Sequence, residues 1–124
     1  MSIEVCGDQF DSRELRNVLG CFGTGVTVVT TLTDSGERVG LTANSFSSVS
    51  LDPPIVLWSL GKKSQNLSVF QDSGRFVVNV LGADQLHLSN QFAKPVADRF
   101  AGVKHGPGLG GLPVIHDCAA NIEC

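Results

Sequence analysis

The stretch GLTANSFSSVSLDPPIVLWSL, residues 40–60, carries more information about this chain than any other. Its first half is rich in small residues and has no charge before Asp52, and the stretch then reaches Pro53 and Pro54. Its hydroxyl-bearing residues before Pro53 are Thr42, Ser45, Ser47, Ser48 and Ser50. Such a run is either a slack surface loop or an extended segment whose uncovered backbone N–H and C=O groups bond a flat polar ligand. The rest of the sequence must decide between these two interpretations.

Size and charge exclude some functions at the outset. A chain of 124 residues is the usual size of one domain. Its residues are 42% hydrophobic and 17% charged, which is an ordinary globular balance. The formal net charge of -3 argues against a general binder of nucleic acid or anionic membranes, since such proteins need a basic face. We therefore expect no nucleic-acid partner and no membrane partner, and any bound anion must be held locally.

The N-terminus and the cysteines favour a cytoplasmic protein. MSIEVCGDQFDSRELR, residues 1–16, mixes charges through its length and lacks the apolar segment of a secretory signal. No apolar run approaches the roughly 20 residues that span a bilayer. The cysteines form no CxxC pair, so we expect reduced, mostly buried thiols rather than a disulfide framework or a metal site. They are Cys6, Cys21, Cys118 and Cys124.

The residues before the stretch predict a helix followed by a β-hairpin. Asp11 or Ser12 can cap the helix, and Gly20 can end it. Residues 26–33 alternate between two sets of strand-forming side chains, and the Asp-Ser-Gly group at 34–36 supplies a turn into a second strand.

The residues after the stretch predict short strands and short helices in turn. The expected elements are a strand at 55–60, a helix capped by Ser64 and stopped by Gly74, a strand at 75–81 covered on both faces, two helical pieces at 83–94 and 96–102 split by Pro95, and an alternating strand at 118–124. Strands and helices do not alternate strictly, which favours a barrel or another mainly β, α+β arrangement over a doubly wound sheet. Because the last strand runs into the end of the sequence, we expect the 1–124 domain to be truncated at its C-terminal end.

A glycine-rich match to the dinucleotide fingerprint is misleading. Gly106, Gly108 and Gly111 satisfy G-x-G-x-x-G, but that fingerprint needs a strand before it and a helix after it. Here Pro113 follows instead, so a flexible glycine loop is the better interpretation.

The residues GKKS, 61–64, leave two interpretations open. They resemble the end of a P-loop, but Lys63 stands where that motif requires Ser or Thr after its lysine. Two adjacent ammonium groups before a predicted helix N-terminus suit a phosphate contact. A solvated turn explains them equally well.

No residue pattern predicts a metal site or a nucleophile. His87, His105 and His116 have no spacing that fits metal ligation. G-x-S-x-G is absent, so the serines form no nucleophile elbow. Catalytic residues therefore stay unassigned.

Taken together, five blocks of the sequence resemble the short-chain flavin reductases. The blocks are FGTGVTVVTT (22–31), GLTANSFSSVSLDPPIVLWSL (40–60), KKSQNLSVFQDSGRFVVNVL (62–81), LSNQFA (88–93) and GLPVIHDCAANIEC (111–124). They occur in the family's order and cover most of the chain from about Leu15 onward. The resemblance implies an FMN-binding split barrel, which is a Greek-key barrel with short peripheral helices, assembled as a homodimer.

The resemblance also implies where a flavin, FMN or FAD, would bind. In the family, one matching segment lies along the isoalloxazine, with backbone groups at its polar edge and hydroxyls near the phosphate. Here that segment comprises Thr42, Ala43, Asn44, Ser45, Ser47 and Ser48. Two further flavin-contact regions match Lys62, Lys63, Ser64, Gln91 and Phe92.

The implied activity is reduction of FMN or FAD by NADH or NADPH, with the reduced flavin passed to a separate flavin-dependent oxygenase. Hydride transfer belongs to the cofactors, so the protein supplies binding and orientation, in keeping with the absence of a nucleophile motif. Family members usually continue into a Gly-Asp-His motif near the nicotinamide, and this sequence ends before it. The alternatives are a flavin-binding module without catalysis and an interaction domain without a ligand.

Overall fold

The computed structural model describes residues 11–124, and these form a mixed α and β domain with antiparallel sheets. The helices are α1 (Ser12–Gly20), α2 (Leu67–Ser73) and α3 (Leu86–Ala93), with a short 3-10 turn at Leu109–Gly111. The strands are β1 (Thr27–Leu32), β2 (Arg38–Ala43), β3 (Ser47–Leu51), β4 (Pro54–Leu57), β5 (Val77–Val80), β6 (His105–Pro107), β7 (Pro113–Ile115) and β8 (Ala120–Glu123). Cys6, for which we expected a reduced thiol, lies outside the described residues.

A four-stranded antiparallel sheet in the order β2-β1-β5-β8 is the centre of the domain. β1 and β2 form the expected hairpin, with Thr27 opposite Ala43 and Leu32 opposite Arg38. The pairs β3-β4 and β6-β7 form separate two-stranded sheets. Within residues 11–124 the three sheets do not join into a closed barrel, so the general α+β class is confirmed while the split barrel stays a proposal.

The core lies on both sides of β1 because successive side chains of a strand point to opposite faces. Val28 faces a cluster that includes α3 and its Phe92, whereas Val29 faces a second cluster that includes Phe70 of α2. Both valines are fully buried. Strand β5 is likewise buried on both faces, as its apolar sequence predicted.

Gly40 is required by the close approach of one aromatic cluster to β2. A Cβ at this position would lie 2.7 Å from Cε1 of Phe92 and 3.3 Å from Cζ of Phe100. The rings of Phe92 and Phe100 meet edge to face with their centroids 5.0 Å apart. Helix α3 therefore packs closely against the strand that leads into the hydroxyl-rich stretch.

Asn79 connects four strands through a buried polar network. Its Nδ2 donates to the carbonyl of Val28 in β1 at 2.9 Å. Its Oδ1 accepts from the backbone N–H of Ile115 in β7 at 2.9 Å and from Nδ2 of Asn121 in β8 at 2.8 Å. Because Asn79 itself is in β5 and has no exposed surface, it joins two of the sheets from inside the core.

The local predictions for the helix ends were mostly confirmed. Asp11 caps α1 by accepting from the backbone N–H of Arg13 at 2.7 Å and of Glu14 at 3.4 Å. Gly74 ends α2 in the left-handed conformation with φ 63°. The Ser64 cap was wrong, because α2 begins at Leu67 and its N-cap residue is Asn66.

Two other predicted elements differ from the structure. The strand expected at 55–60 is Pro54–Leu57, so Trp58 lies beyond it and packs against Phe70 instead. The helical piece expected at 96–102 was wrong, since those residues form turns. Side-chain bonds satisfy backbone groups around these turns: Asp98 Oδ1 accepts from the backbone N–H of Phe100, and Arg99 donates to the carbonyls of Lys94 and Gly40.

Candidate functional site: the connection between β2 and β3

The hydroxyl-rich stretch, residues 42–50, contains residues that are bonded to the rest of the domain and residues that are exposed to solvent. Thr42 and Ala43 end β2, and Ser47 and Ser48 begin β3. The three residues between them, 44–46, belong to no helix or strand. Because β2 is an outer strand of the four-stranded sheet, this connection, which we call the β2–β3 connection (residues 44–46), lies at the sheet's edge.

Thr42 and Ala43 anchor the connection. The hydroxyl of Thr42 donates to the carbonyl of Ser89 in α3 at 2.7 Å. The carbonyl of Ala43 accepts from the hydroxyl of Thr27 at 2.7 Å. Both contacts are internal, so these two residues set the position of the connection.

Ser45 ties the β2–β3 connection to the segment after β4. Its Oγ accepts from the backbone N–H of Ser59 at 2.8 Å and lies 3.4 Å from the carbonyl oxygen of Ser59. Asn44 beside it is exposed. The connection is therefore held in place, with Asn44 and Ser45 exposed and Phe46 half-buried.

Ser47 and Ser48 are exposed on β3. The Ser47 hydroxyl lies 3.2 Å from the Ser48 carbonyl, and the β3-β4 register shifts between Ser48 and Ser50. A bulge of this kind locally turns the strand and re-aims its side chains. The Ser48 hydroxyl is thus open to solvent next to the connection.

The two lysines lie in an exposed turn after Ser59. The backbone N–H of Ser64 bonds the Gly61 carbonyl at 2.9 Å, which closes the turn around Lys62 and Lys63. Ser64 Oγ accepts from the backbone N–H of Asn66 at 3.3 Å. The Ser45–Ser59 contact brings the start of this segment to the β2–β3 connection. Since α2 begins only at Leu67, the lysines lie outside its first turn.

Gln91 and Phe92 make internal contacts. Phe92 is 1% exposed and packs in the core. Gln91 Nε2 donates to the carbonyls of Arg99 at 2.7 Å and Ala101 at 2.9 Å, and so holds the loop that follows α3. Their predicted contact with flavin stays a prediction, as do the assignments in the other two segments.

The structure contains a cleft that no sequence pattern predicts, between β2, the residues before α2 and the loop after α3. Its volume is about 440 Å³ and its lining includes Arg38, Arg99, Gln65 and Asn66. The two arginines are far apart in sequence and belong to no recognisable motif. Only the pairing of Arg99 with β2 brings them together, through a hydrogen bond of 2.9 Å to the Gly40 carbonyl.

The cysteine and metal chemistry of the described residues is limited. Burial raises the pKa of Cys118, and hydrogen bonding by Gln85 and Asn121 partly offsets this effect. Burial also raises the pKa of Cys124.

Within residues 11–124 no group of three or more His, Cys, Asp or Glu side chains could hold a metal ion. None of the helices there is long and apolar enough to cross a bilayer.

The arrangement suits a flat ligand with an anionic group. The exposed residues Asn44 and Ser45 leave backbone polar groups approachable at a sheet edge, and cationic side chains follow on the adjoining turn. The class defined by the fold is a mixed α and β domain with antiparallel sheets. Residues 19–124 match the flavin reductase like domain family, and the chain belongs to that family.

Two curated relatives cover nearly the whole chain. A Rhizobium meliloti protein named "Probable flavin reductase" is 51% identical over 120 residues, which are 97% of this chain and 39% of the relative. The reductase component of the flavin-dependent trigonelline monooxygenase of Acinetobacter baylyi is 46% identical over 112 residues, 90% of this chain and 36% of that protein. The chain thus spans well under half the length of these two relatives.

A solved structure supports the same grouping. The NADH:FAD oxidoreductase of Streptomyces globisporus, in complex with NAD and FAD fragments, matches with a TM-score of 0.85 and 42% identity. The match covers 92% of this chain and 68% of that chain.

Proposed function

We propose that the protein is an NAD(P)H-dependent flavin reductase, which transfers hydride to FMN or FAD and supplies the reduced flavin to a separate monooxygenase. The observation that carries the proposal is the family match over residues 19–124. The names of the relatives support it, since one is a monooxygenase reductase component and another is an NADH:FAD oxidoreductase.

The β2–β3 connection is the part of the chain that would hold the flavin. Thr42 and Ala43 fix its position from β2, and Ser45 fixes it from Ser59. Its backbone N–H and C=O groups then meet the heteroatom edge of the ring, while the hydroxyls of Ser47 and Ser48 lie toward the phosphate. A bound flavin accepts hydride at N5 from reduced nicotinamide, so the protein's task is binding and orientation.

A homodimer is part of the proposal, and the exposed β3-β4 hairpin supports it. Leu51 is 92% exposed and Leu57 is 55% exposed, with Val49 and Ile55 also exposed. A two-stranded hairpin is marginally stable alone, and exposed large apolar side chains on it favour a protein partner. A second copy covering each hairpin would bury some of these side chains next to both flavin sites.

We also propose a split-barrel fold for the domain and a cytoplasmic location for the protein. We assign residues 1–124 to a single flavin reductase-like domain of the split-barrel type, in which sheets β2-β1-β5-β8 and β6-β7 contribute to one barrel. The Asn79 network, which bonds β7 to the main sheet, supports this arrangement. We place the protein in the cytoplasm, where NADH and a partner oxygenase are available.

The decisive experiment follows NADH absorbance in the presence of catalytic amounts of protein and excess free FMN or FAD under air. A reductase consumes many equivalents of NADH per protein, with rates that depend on the flavin concentration. A flavin-binding module without catalysis would quench flavin fluorescence yet consume no NADH above the uncatalysed rate. Protein that neither quenches flavin nor oxidises NADH would contradict both.

A further inference from the structure

We infer that the cleft between Arg38 and Arg99 binds an adenosine diphosphate group, the part that FAD and the nicotinamide dinucleotides share. The inference rests on the proposed function for the identity of the dinucleotide. The cleft itself is separate from the β2–β3 connection. It lies where β2, the residues before α2 and the loop after α3 meet.

Arg99 is held rigidly at this position. Its Nη1 donates to the Gly40 carbonyl at 2.9 Å and its Nε donates to the Lys94 carbonyl at 3.0 Å. Gln91 bonds the Arg99 carbonyl from α3 at 2.7 Å. A guanidinium fixed by two backbone carbonyls keeps Nη2 as a donor for another group, and its geometry matches phosphate oxygens.

Arg38 supplies a second guanidinium from the same face of β2. Arg38 and Gly40 are two residues apart on a strand, so they point to the same side. The Arg38 Cζ lies 5.7 Å from the centroid of the Phe100 ring, a cation–π contact that orients the exposed side chain over the cleft. Two arginines on one wall are a cationic pair in a protein whose net charge is -3.

The other walls suit the rest of an adenosine diphosphate. The amides of Gln65 and Asn66 offer neutral donors and acceptors. Pro95 and Val96, the latter 44% exposed, form an apolar surface on which a flat base can rest. The volume of about 440 Å³ lies within the usual range for nucleotide-sized ligands.

Among residues 11–124, one carboxylate lines the cleft, and it already has a partner. Asp98 Oδ1 accepts from the backbone N–H of Phe100 at 3.0 Å. Two guanidinium groups therefore face one carboxylate, and the balance favours an anion. Lys62 and Lys63 precede Gln65 on the same segment, but neither lines the cleft.

The test measures ADP binding by calorimetry to the whole chain and to the variants Arg38→Gln and Val96→Asp. Arg38→Gln should weaken ADP binding about tenfold, as expected for one charge-assisted contact. Val96→Asp should weaken it by repulsion without removing either arginine. Arg13→Gln, which removes an exposed arginine of α1, is the matched control and should bind ADP as the parent does.

Two measurements on Arg38→Gln decide which dinucleotide supplies the ADP group. A fall in the affinity of Arg38→Gln for FAD relative to FMN assigns the cleft to FAD. A rise in the KM for NADH with FMN as acceptor assigns it to the nicotinamide dinucleotide. If Arg38→Gln changes neither the relative affinity for FAD nor the KM for NADH, the inference is overturned. Equal binding of ADP to all three variants would also overturn it. ADP binding that depends on Arg38 in a protein unable to reduce flavin would sustain the inference and refute the proposed function.

Discussion

The Oγ of Ser45 accepts a 2.8 Å hydrogen bond from the backbone N–H of Ser59, and this contact holds the β2–β3 connection against the segment that carries Lys62 and Lys63. It joins the end of one sheet to the end of another, because Ser45 follows β2 and Ser59 follows β4. A ligand that spans the connection and the lysine turn would depend on this single side-chain contact for the spacing of its two binding segments.

Removing that contact should therefore weaken flavin binding. We expect Ser45→Ala to raise the dissociation constant for FMN by about tenfold or less, since one neutral hydrogen bond contributes about 1 kcal/mol. Fluorescence quenching of FMN measures the change. Ser35→Ala is the control, because its hydroxyl lies in the exposed β1-β2 turn, at the other end of β2 from the connection. Equal affinities for Ser45→Ala and Ser35→Ala would show that the connection needs no such anchor.

A bulky side chain on the β2–β3 connection should block the flavin outright. Asn44 is exposed, so Asn44→Trp should leave the fold and the melting temperature nearly unchanged while covering the neighbouring backbone. We expect FMN binding to fall by more than tenfold in the same quenching titration. An Asn44→Trp protein that binds FMN like the parent would refute the assignment of this segment to the flavin.

The lysine turn gives a salt-dependent prediction. If Lys62 or Lys63 contacts the flavin phosphate, FMN binding should weaken with added salt more than riboflavin binding does, because ions screen exposed charges. The measurement is the FMN to riboflavin affinity ratio at low and high salt in the parent, Lys62→Ala and Lys63→Ala. Lys104→Ala, an exposed lysine outside the turn, is the control. A ratio that survives both turn substitutions would return the lysines to the solvated-turn interpretation.

Asn79 should be far more important for stability than its partner Asn121. Asn79→Ala leaves the buried backbone N–H of Ile115 and the carbonyl of Val28 without their side-chain partner, and we expect a loss of about 3 kcal/mol in the free energy of unfolding. Asn121→Ala removes only the bonds made by one exposed side chain and should cost about 1 kcal/mol. Urea denaturation measures both, and similar losses would contradict a central role for Asn79.

The partial burial of Cys118 predicts that its thiol reacts slowly with alkylating agents and that this rate depends on pH. Because burial raises its pKa, the thiolate fraction at neutral pH is smaller in the folded than in the unfolded protein. Alkylation by iodoacetamide, followed at the Cys118 peptide by mass spectrometry, should be slower in buffer than in urea. The difference should narrow as the pH rises through the folded-state pKa. The same shift lowers the stability of the fold over that alkaline range, since the unfolded state releases the proton first. Equal rates in both states at neutral pH would contradict the protected environment.

The sequence by itself determined the elements whose signals are local. The Asp11 cap, the stop at Gly74 and the β1-β2 hairpin each depend on residues within a few positions of one another, and each was found where predicted. The family was also recognisable, because its blocks of residues occur in a fixed order along the chain.

Only the tertiary structure decided which residues far apart in the sequence form hydrogen bonds or pack together. Nothing near residues 96–102 in the sequence shows that Arg99 will bond Gly40, yet that contact and the Asp98 cap replace the predicted helix with turns. Phe92 is likewise buried only because Gly40 lets α3 approach β2. The Ser45–Ser59 contact and the Arg38–Arg99 cleft arise in the same way. Hydrogen bonds and packing between remote segments overrode local propensity, since a weak helical preference cannot compete with several tertiary contacts.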